Sequence, residues 1–141
     1  MSQESQAWLQ LVQSISIVEA KLAKFLNQQH NIGLTDYRAL EILSSSPNRE
    51  LRMQELAHRL GLNQSSISRM VERLEKNDLT FRDLCPDDKR GVYTVLTKTG
   101  QEKLNDIKPD YDDQLNQLFK EEKVLHLLRE FDNSLNKPSK A

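Results

Sequence analysis

The chain opens on a long stretch whose apolar positions recur at helical spacing. From Gln6 to about Gln29, the residues Trp8, Leu9, Leu11, Val12, Ile15, Ile17, Val18, Leu22, Phe25 and Leu26 predict one helix. They cover more than the single stripe that a surface helix needs. The helix therefore has to be buried on more than one side, by its own domain or by a second subunit. A break follows at Asn31-Ile32-Gly33. Thr35 is expected as an N-cap, with Asp36 in the first turn, where the helix dipole favours a negative charge. Tyr37, Leu40, Ile42 and Leu43 form the next apolar face, and Ser44-Ser45-Ser46-Pro47-Asn48 reads as a loop.

Met53 to Leu60 reads as a short helix, Gly61-Leu62-Asn63 as a turn and Gln64 to Asn77 as a second helix. In the second, Ile67, Met70, Val71 and Leu74 fall at the i, i+3, i+4, i+7 spacing of one buried face. Leu79–Leu84 and Val92–Leu96 read as two short strands around the charged run Cys85-Pro86-Asp87-Asp88-Lys89-Arg90-Gly91. Thr97 is expected as the N-cap of another helix, in which Leu104, Ile107, Tyr111, Leu115 and Leu118 make a heptad-like seam. Pro109 lies inside this helix and is expected to kink or split it. Val124, Leu127, Leu128, Phe131 and Leu135 mark a last helix before a frayed tail, Asn136 to Ala141.

Composition narrows the class. A chain of 141 residues favours one domain. Four Gly and four Pro argue against a turn-rich β protein and for long helices. The single cysteine, Cys85, excludes an internal disulfide and a cysteine-rich zinc site. Carboxylates around it disfavour a thiolate, so no redox role is assigned to it. His30, His58 and His126 form no metal-like spacing, and no cofactor or metal is expected. The start lacks a basic region and a continuous apolar core, and no stretch approaches a membrane span, so the expectation is a cytoplasmic protein with no membrane partner. Net charge is -1, but residues 49–103 carry 11 basic against nine acidic side chains while residues 104–141 carry six against eight. The middle is mildly basic and the tail mildly acidic.

The segment 53–72 fits a helix-turn-helix position by position. Ala57 is small where the helices pack closest, Gly61 supplies a positive φ at the turn, and Ile67 packs the second helix on the first. Leu56, Leu60, Leu62 and Met70 complete the small core. The other face of the second helix carries Asn63, Gln64, Ser65, Ser66, Ser68, Arg69 and Arg73. Short hydroxyl and amide side chains let a helix N-terminus approach base edges, while its free N–H groups suit phosphate. Gln64 could pair with adenine and Arg69 with guanine. Ordinary capping and solubilising residues would also account for that face taken alone. Lys89 and Arg90 sit at the tip of the following hairpin, where a basic side chain can enter an adjacent minor groove. Asp87 and Asp88 would repel phosphate, and the expected role of Asp88 is to hold Arg90 in position.

These blocks resemble the MarR family of bacterial winged-helix regulators. The carrying residues are Leu56-Ala57-His58-Arg59-Leu60-Gly61-Leu62 and Ile67-Ser68-Arg69-Met70-Val71-Glu72-Arg73-Leu74-Glu75-Lys76, then Asp88-Lys89-Arg90 and Leu96-Thr97-Lys98-Thr99-Gly100. The last two match the family's D-x-R wing and L-T-x-x-G helix start. Four blocks occur in order across residues 35–104. The sequence departs from the pattern at Asp78, where Gly is common, and at Met53, where Ser or Thr is frequent as an N-cap. Thr80-Phe81 and Thr94-Val95 change the strand alternation and leave the register open.

The expected fold is mostly α with a small β-hairpin wing. Residues 1–34 would be a dimerisation helix, 35–96 a winged helix-turn-helix lobe and 97–141 further dimerisation helices, all integrated in one domain. The resemblance implies a homodimer on double-stranded DNA with a pseudo-palindromic operator, acting as a repressor and released by a small aromatic or anionic effector. The residues assign no effector site. The alternative is a winged-helix module that binds protein. An enzyme finds no support, since there is no Gly-rich phosphate loop, G-x-S-x-G or H-E-x-x-H.

Overall fold

A computed structural model describes residues 1–84 and 91–136. Cys85 and the wing-tip positions Asp88, Lys89 and Arg90 lie outside the described residues. The described chain is mostly helical with one three-stranded sheet. Its elements are α1 (Gln3–His30), α2 (Leu34–Ser44), β1 (Glu50–Arg52), α3 (Met53–Leu60), α4 (Gln64–Lys76), β2 (Thr80–Leu84), β3 (Val92–Leu96), α5 (Lys98–Glu121) and α6 (Val124–Leu135). They form two compact units, His30–Pro109 and Met1–Gln29 with Asp110–Ala141. The division falls at Pro109, inside α5. That helix is not split there: it runs through the proline, which removes one backbone donor.

In the unit of residues 30–109 the apolar faces read from the sequence meet in one core. Tyr37, Leu40, Leu43, Leu56, Ile67, Met70, Val71 and Leu74 are buried, each contributing roughly 1.5–3 kcal/mol relative to exposure for the larger aliphatic side chains. The sheet has the order β1-β3-β2, antiparallel throughout. Its register pairs Leu51 with Thr94, Thr80 with Leu96 and Leu84 with Val92. Leu51, Thr80, Thr94 and Leu96 are buried. The two threonines therefore stand at core positions, which is why alternation in the sequence reads poorly there.

Three local expectations change. Gly33, with no side-chain cap, precedes α2, so Thr35 lies in the first turn and is not its N-cap. Leu34 begins the helix and is buried. The residue before α3 is Arg52, not Met53. Its guanidinium donates from Nε to the Tyr93 hydroxyl at 3.1 Å and lies 5.6 Å from the centre of that ring, so it does not cap. Strand β1 is the third: three residues are too few to give a periodicity.

The other unit combines α1, the latter part of α5 and α6. Leu11, Val18, Leu22 and Leu26 of α1 are buried, while Trp8, Leu9, Ile15 and Ile17 are exposed. The helix thus has two apolar faces, one of them uncovered in the single chain. Leu125, Leu128 and Leu135 of α6 are exposed as well. Trp8 packs on Phe131 with ring centres 5.9 Å apart. Ser14 donates to the Glu122 carbonyl oxygen at 2.9 Å, and Lys21 meets the Glu122 carboxylate at 3.1 Å.

Candidate nucleic-acid interface

Two turns fix helix α4. At its start, Gly61 adopts φ +67° and the Leu62 amide donates to the Ala57 carbonyl at 2.9 Å. No neighbour lies within 4 Å of an added Cβ at Gly61, so only its backbone conformation calls for glycine. Asn63 then caps α4, its side-chain oxygen accepting from the Ser66 amide at 2.8 Å and the Ser65 hydroxyl at 3.0 Å. Ser65 thereby steadies the cap. At the other end, the Asp78 amide donates to Glu75 at 2.9 Å and the Leu79 amide to Leu74 at 3.0 Å. This is a Schellman ending with Asp78 in the left-handed conformation, φ 59°. The aspartate adopts the backbone that glycine favours, so the helix ends in the usual way despite the substitution.

Between those ends, Ile67, Met70, Val71 and Leu74 face the core, and Asn63, Gln64, Ser65, Arg69 and Arg73 are exposed. Ser66 and Ser68 are half-buried. All seven expected residues therefore belong to one helix and its cap. Gln64, Ser68 and Arg69 have no hydrogen-bond or ion-pair partner among the described residues. Arg73 is different. Its Nε and Nη2 both lie 2.8 Å from the Asp36 carboxylate, one nitrogen on each oxygen. The Asp36 side chain is 10% exposed and that of Arg73 53% exposed. The hydrogen bond to Asp36 is the chief reason that the guanidinium is held above its ordinary range; burial opposes this and the Asp36 charge adds to it.

The sequence did not reveal three side-chain pairings in this lobe, two of which hold α4. Asp36 was legible only as a first-turn acid. Glu75 pairs with Arg82 of β2, at 2.6 Å. Arg52 lies along the root of the wing, where a Cβ added to Gly91 would come 3.4 Å from its Cδ. These pairings join residues 37, 7 and 41 positions apart in sequence, and no local pattern signals them.

The start of α5 closes the lobe. The Thr97 hydroxyl accepts from the Gly100 amide at 2.9 Å, as an N-cap should. A Cβ at Gly100 would overlap the Leu79 carbonyl oxygen and come 2.7 Å from Leu96 Cδ1. The L-T-x-x-G block thus has a physical basis in a cap and a close crossing. Among the described residues, no helix is long and apolar enough to cross a membrane, and no group of three His, Cys, Asp or Glu could hold a metal ion.

Comparison with known proteins agrees with this geometry. Residues 32–92 match the model of the MarR family. The homoprotocatechuate degradative operon repressor of Escherichia coli is 30% identical over 121 residues, covering 80% of each chain. The chain spans 53% and 61% of the length of two Bacillus subtilis transcriptional regulators that it also matches. Among solved structures, AbsC of Streptomyces coelicolor, a MarR family transcriptional regulator, superimposes with a TM-score of 0.81 at 28% identity, covering 96% of this chain and 91% of that one. Sco3205 of the same organism, a family member solved in complex with DNA, does so with a TM-score of 0.78 at 31% identity, covering 100% and 92%. The chain belongs to the MarR family of winged-helix transcriptional regulators.

Proposed function

We propose that the protein is a sequence-specific DNA-binding repressor that acts as a homodimer in the cytoplasm, by occupying a promoter and without a catalytic step. The observation that carries this reading is the exposed polar face of α4, on which Gln64 and Arg69 have no competing partner among the described residues. Gln64 and Arg69 read base edges by two-pronged hydrogen bonds. Ser66, Ser68 and the first amides of α4 meet phosphate, and Asn63 and Ser65 hold the helix start that presents them. Lys89 and Arg90 add a minor-groove contact, with Asp88 positioning Arg90. Arg73 shares this face with its guanidinium engaged by Asp36.

The uncovered apolar residues of α1 and α6 support the dimer: Trp8, Leu9, Ile15, Leu125 and Leu128 expose more grouped apolar surface than isolated side chains on a monomer would. A relative that represses an operon and a relative solved on DNA support the repressor reading. A small aromatic or anionic effector that releases the DNA belongs to the same proposal.

Selection of bound sites from random double-stranded DNA tests it. The expected product is a pseudo-palindrome with half-sites about one helical turn, ~10 bp, apart. A pool that enriches no sequence even at low salt would show that the lobe binds something other than DNA.

A further inference from the structure

Helix α4 is tied to its surroundings by two ion pairs that leave it on opposite sides. Arg73 reaches Asp36 in the first turn of α2, with both nitrogens at 2.8 Å. Glu75 reaches Arg82 of β2 at 2.6 Å. Two residues along a helix are about 200° apart around its axis. The apolar face of α4 decides which side points inward, but apolar contact is non-directional and tolerates some roll. The two-pronged Arg73–Asp36 pair is directional, and the single short bond from Arg82 Nε to Glu75 Oε1 constrains the other flank. With one pair on each flank, rolling α4 either way stretches one of them. The short side chains Ser65, Ser66 and Ser68 leave little reach to compensate for a misaimed helix.

We infer that Asp36 and Arg82 are positioning residues for DNA reading, setting the roll of α4 through Arg73 and Glu75, and that Arg73 serves the interface through Asp36 and makes no direct phosphate contact. The inference rests on the DNA-binding reading above.

The test uses the full chain and the operator obtained by selection. Affinity for that operator and for unrelated duplex is measured against salt for the wild type, Asp36→Asn, Arg73→Ala, the double variant of these two, Arg82→Gln and Arg82→Lys. Thermal melting confirms that each is folded. Asp36→Asn, Arg73→Ala and Arg82→Gln are each expected to weaken operator binding roughly tenfold while leaving unrelated duplex and the salt slope unchanged. The double variant is no weaker than either single, and Arg82→Lys recovers most of the loss. Should Asp36→Asn fail to fold, Arg82 is 40% exposed and its variants still decide the matter. Two results overturn the inference alone: Asp36→Asn and Arg82→Gln binding the operator as the wild type does, or Arg73→Ala lowering the salt slope by about one, the mark of a direct phosphate contact. Failure of the wild type to bind any selected duplex removes the DNA reading and this inference together.

Discussion

The Thr97 hydroxyl donates to the Asp78 carbonyl oxygen at 2.6 Å, so the helix that starts at Lys98 is pinned to the turn that ends α4. The Thr97 hydroxyl oxygen also caps α5 by accepting from the Gly100 amide. One hydroxyl thus joins the end of the helix proposed to read DNA to the next structural element. Thr97→Ala removes both bonds and should cost about 1–2 kcal/mol, seen as a lower urea midpoint with an unchanged slope.

Asp78 itself is a stabilising target. Its φ of 59° strains a residue that has a Cβ. Its contact with Thr97 is through the backbone and survives substitution. Asp78→Gly should raise stability by about 0.5–1 kcal/mol, measured as an increased Tm, with operator binding unaltered.

Gly100→Ala should do the opposite, and for a steric reason. The added Cβ would press on the Leu79 carbonyl, part of the rigid turn after α4. A loss of about 2–3 kcal/mol is expected, against about 1 kcal/mol for Gly61→Ala, where only the left-handed backbone objects. Equal costs at the two glycines would contradict this distinction.

The buried hydroxyls of Thr80 and Thr94 have no hydrogen-bond partner among the described residues. Both lie on the inner face of the sheet. Thr94→Val keeps the shape and removes an unsatisfied polar atom, so a gain of about 1 kcal/mol is expected in denaturant unfolding.

The Asp36–Arg73 pair has a definite pH dependence. The hydrogen bond to Asp36 raises the Arg73 guanidinium above its unfolded value. Its contribution is therefore fully present below that value and is lost only as pH rises through the higher folded one. The stability difference between wild type and Arg73→Ala should stay constant from about pH 7 to about pH 10. A steady decline over that window would contradict a guanidinium partner.

Trp8 offers a direct view of self-association, being the only tryptophan and half-exposed beside Phe131. If the apolar faces of α1 and α6 meet a second copy, dilution should shift its emission to the red. Leu128→Asp should give a monomer in sedimentation while the lobe stays folded.

Much of the lobe was legible because its helices have strong periodicity: Ile67, Met70, Val71 and Leu74 announce α4, and Gly61 marks the turn before it. The Thr97–Gly100 block was legible as a motif, and the crossing at Leu79 explains it. What escaped is non-local. Asp36 sits where a first-turn acid needs no further explanation, yet its partner lies 37 residues on. Arg52 and Tyr93 meet only through the pairing of β1 with β3, and β1 is too short to have a pattern. Thr80 and Thr94 misled because polar residues at buried strand positions imitate the exposed face.

Binding of the selected operator by Arg69→Ala decides whether α4 reads base edges. Arg69 is exposed on α4 and has no partner among the described residues, so its loss should leave the fold intact. Operator affinity should fall by about 1–3 kcal/mol, and base preference should relax at one position of each half-site. Unchanged affinity and unchanged preference would contradict base reading by α4.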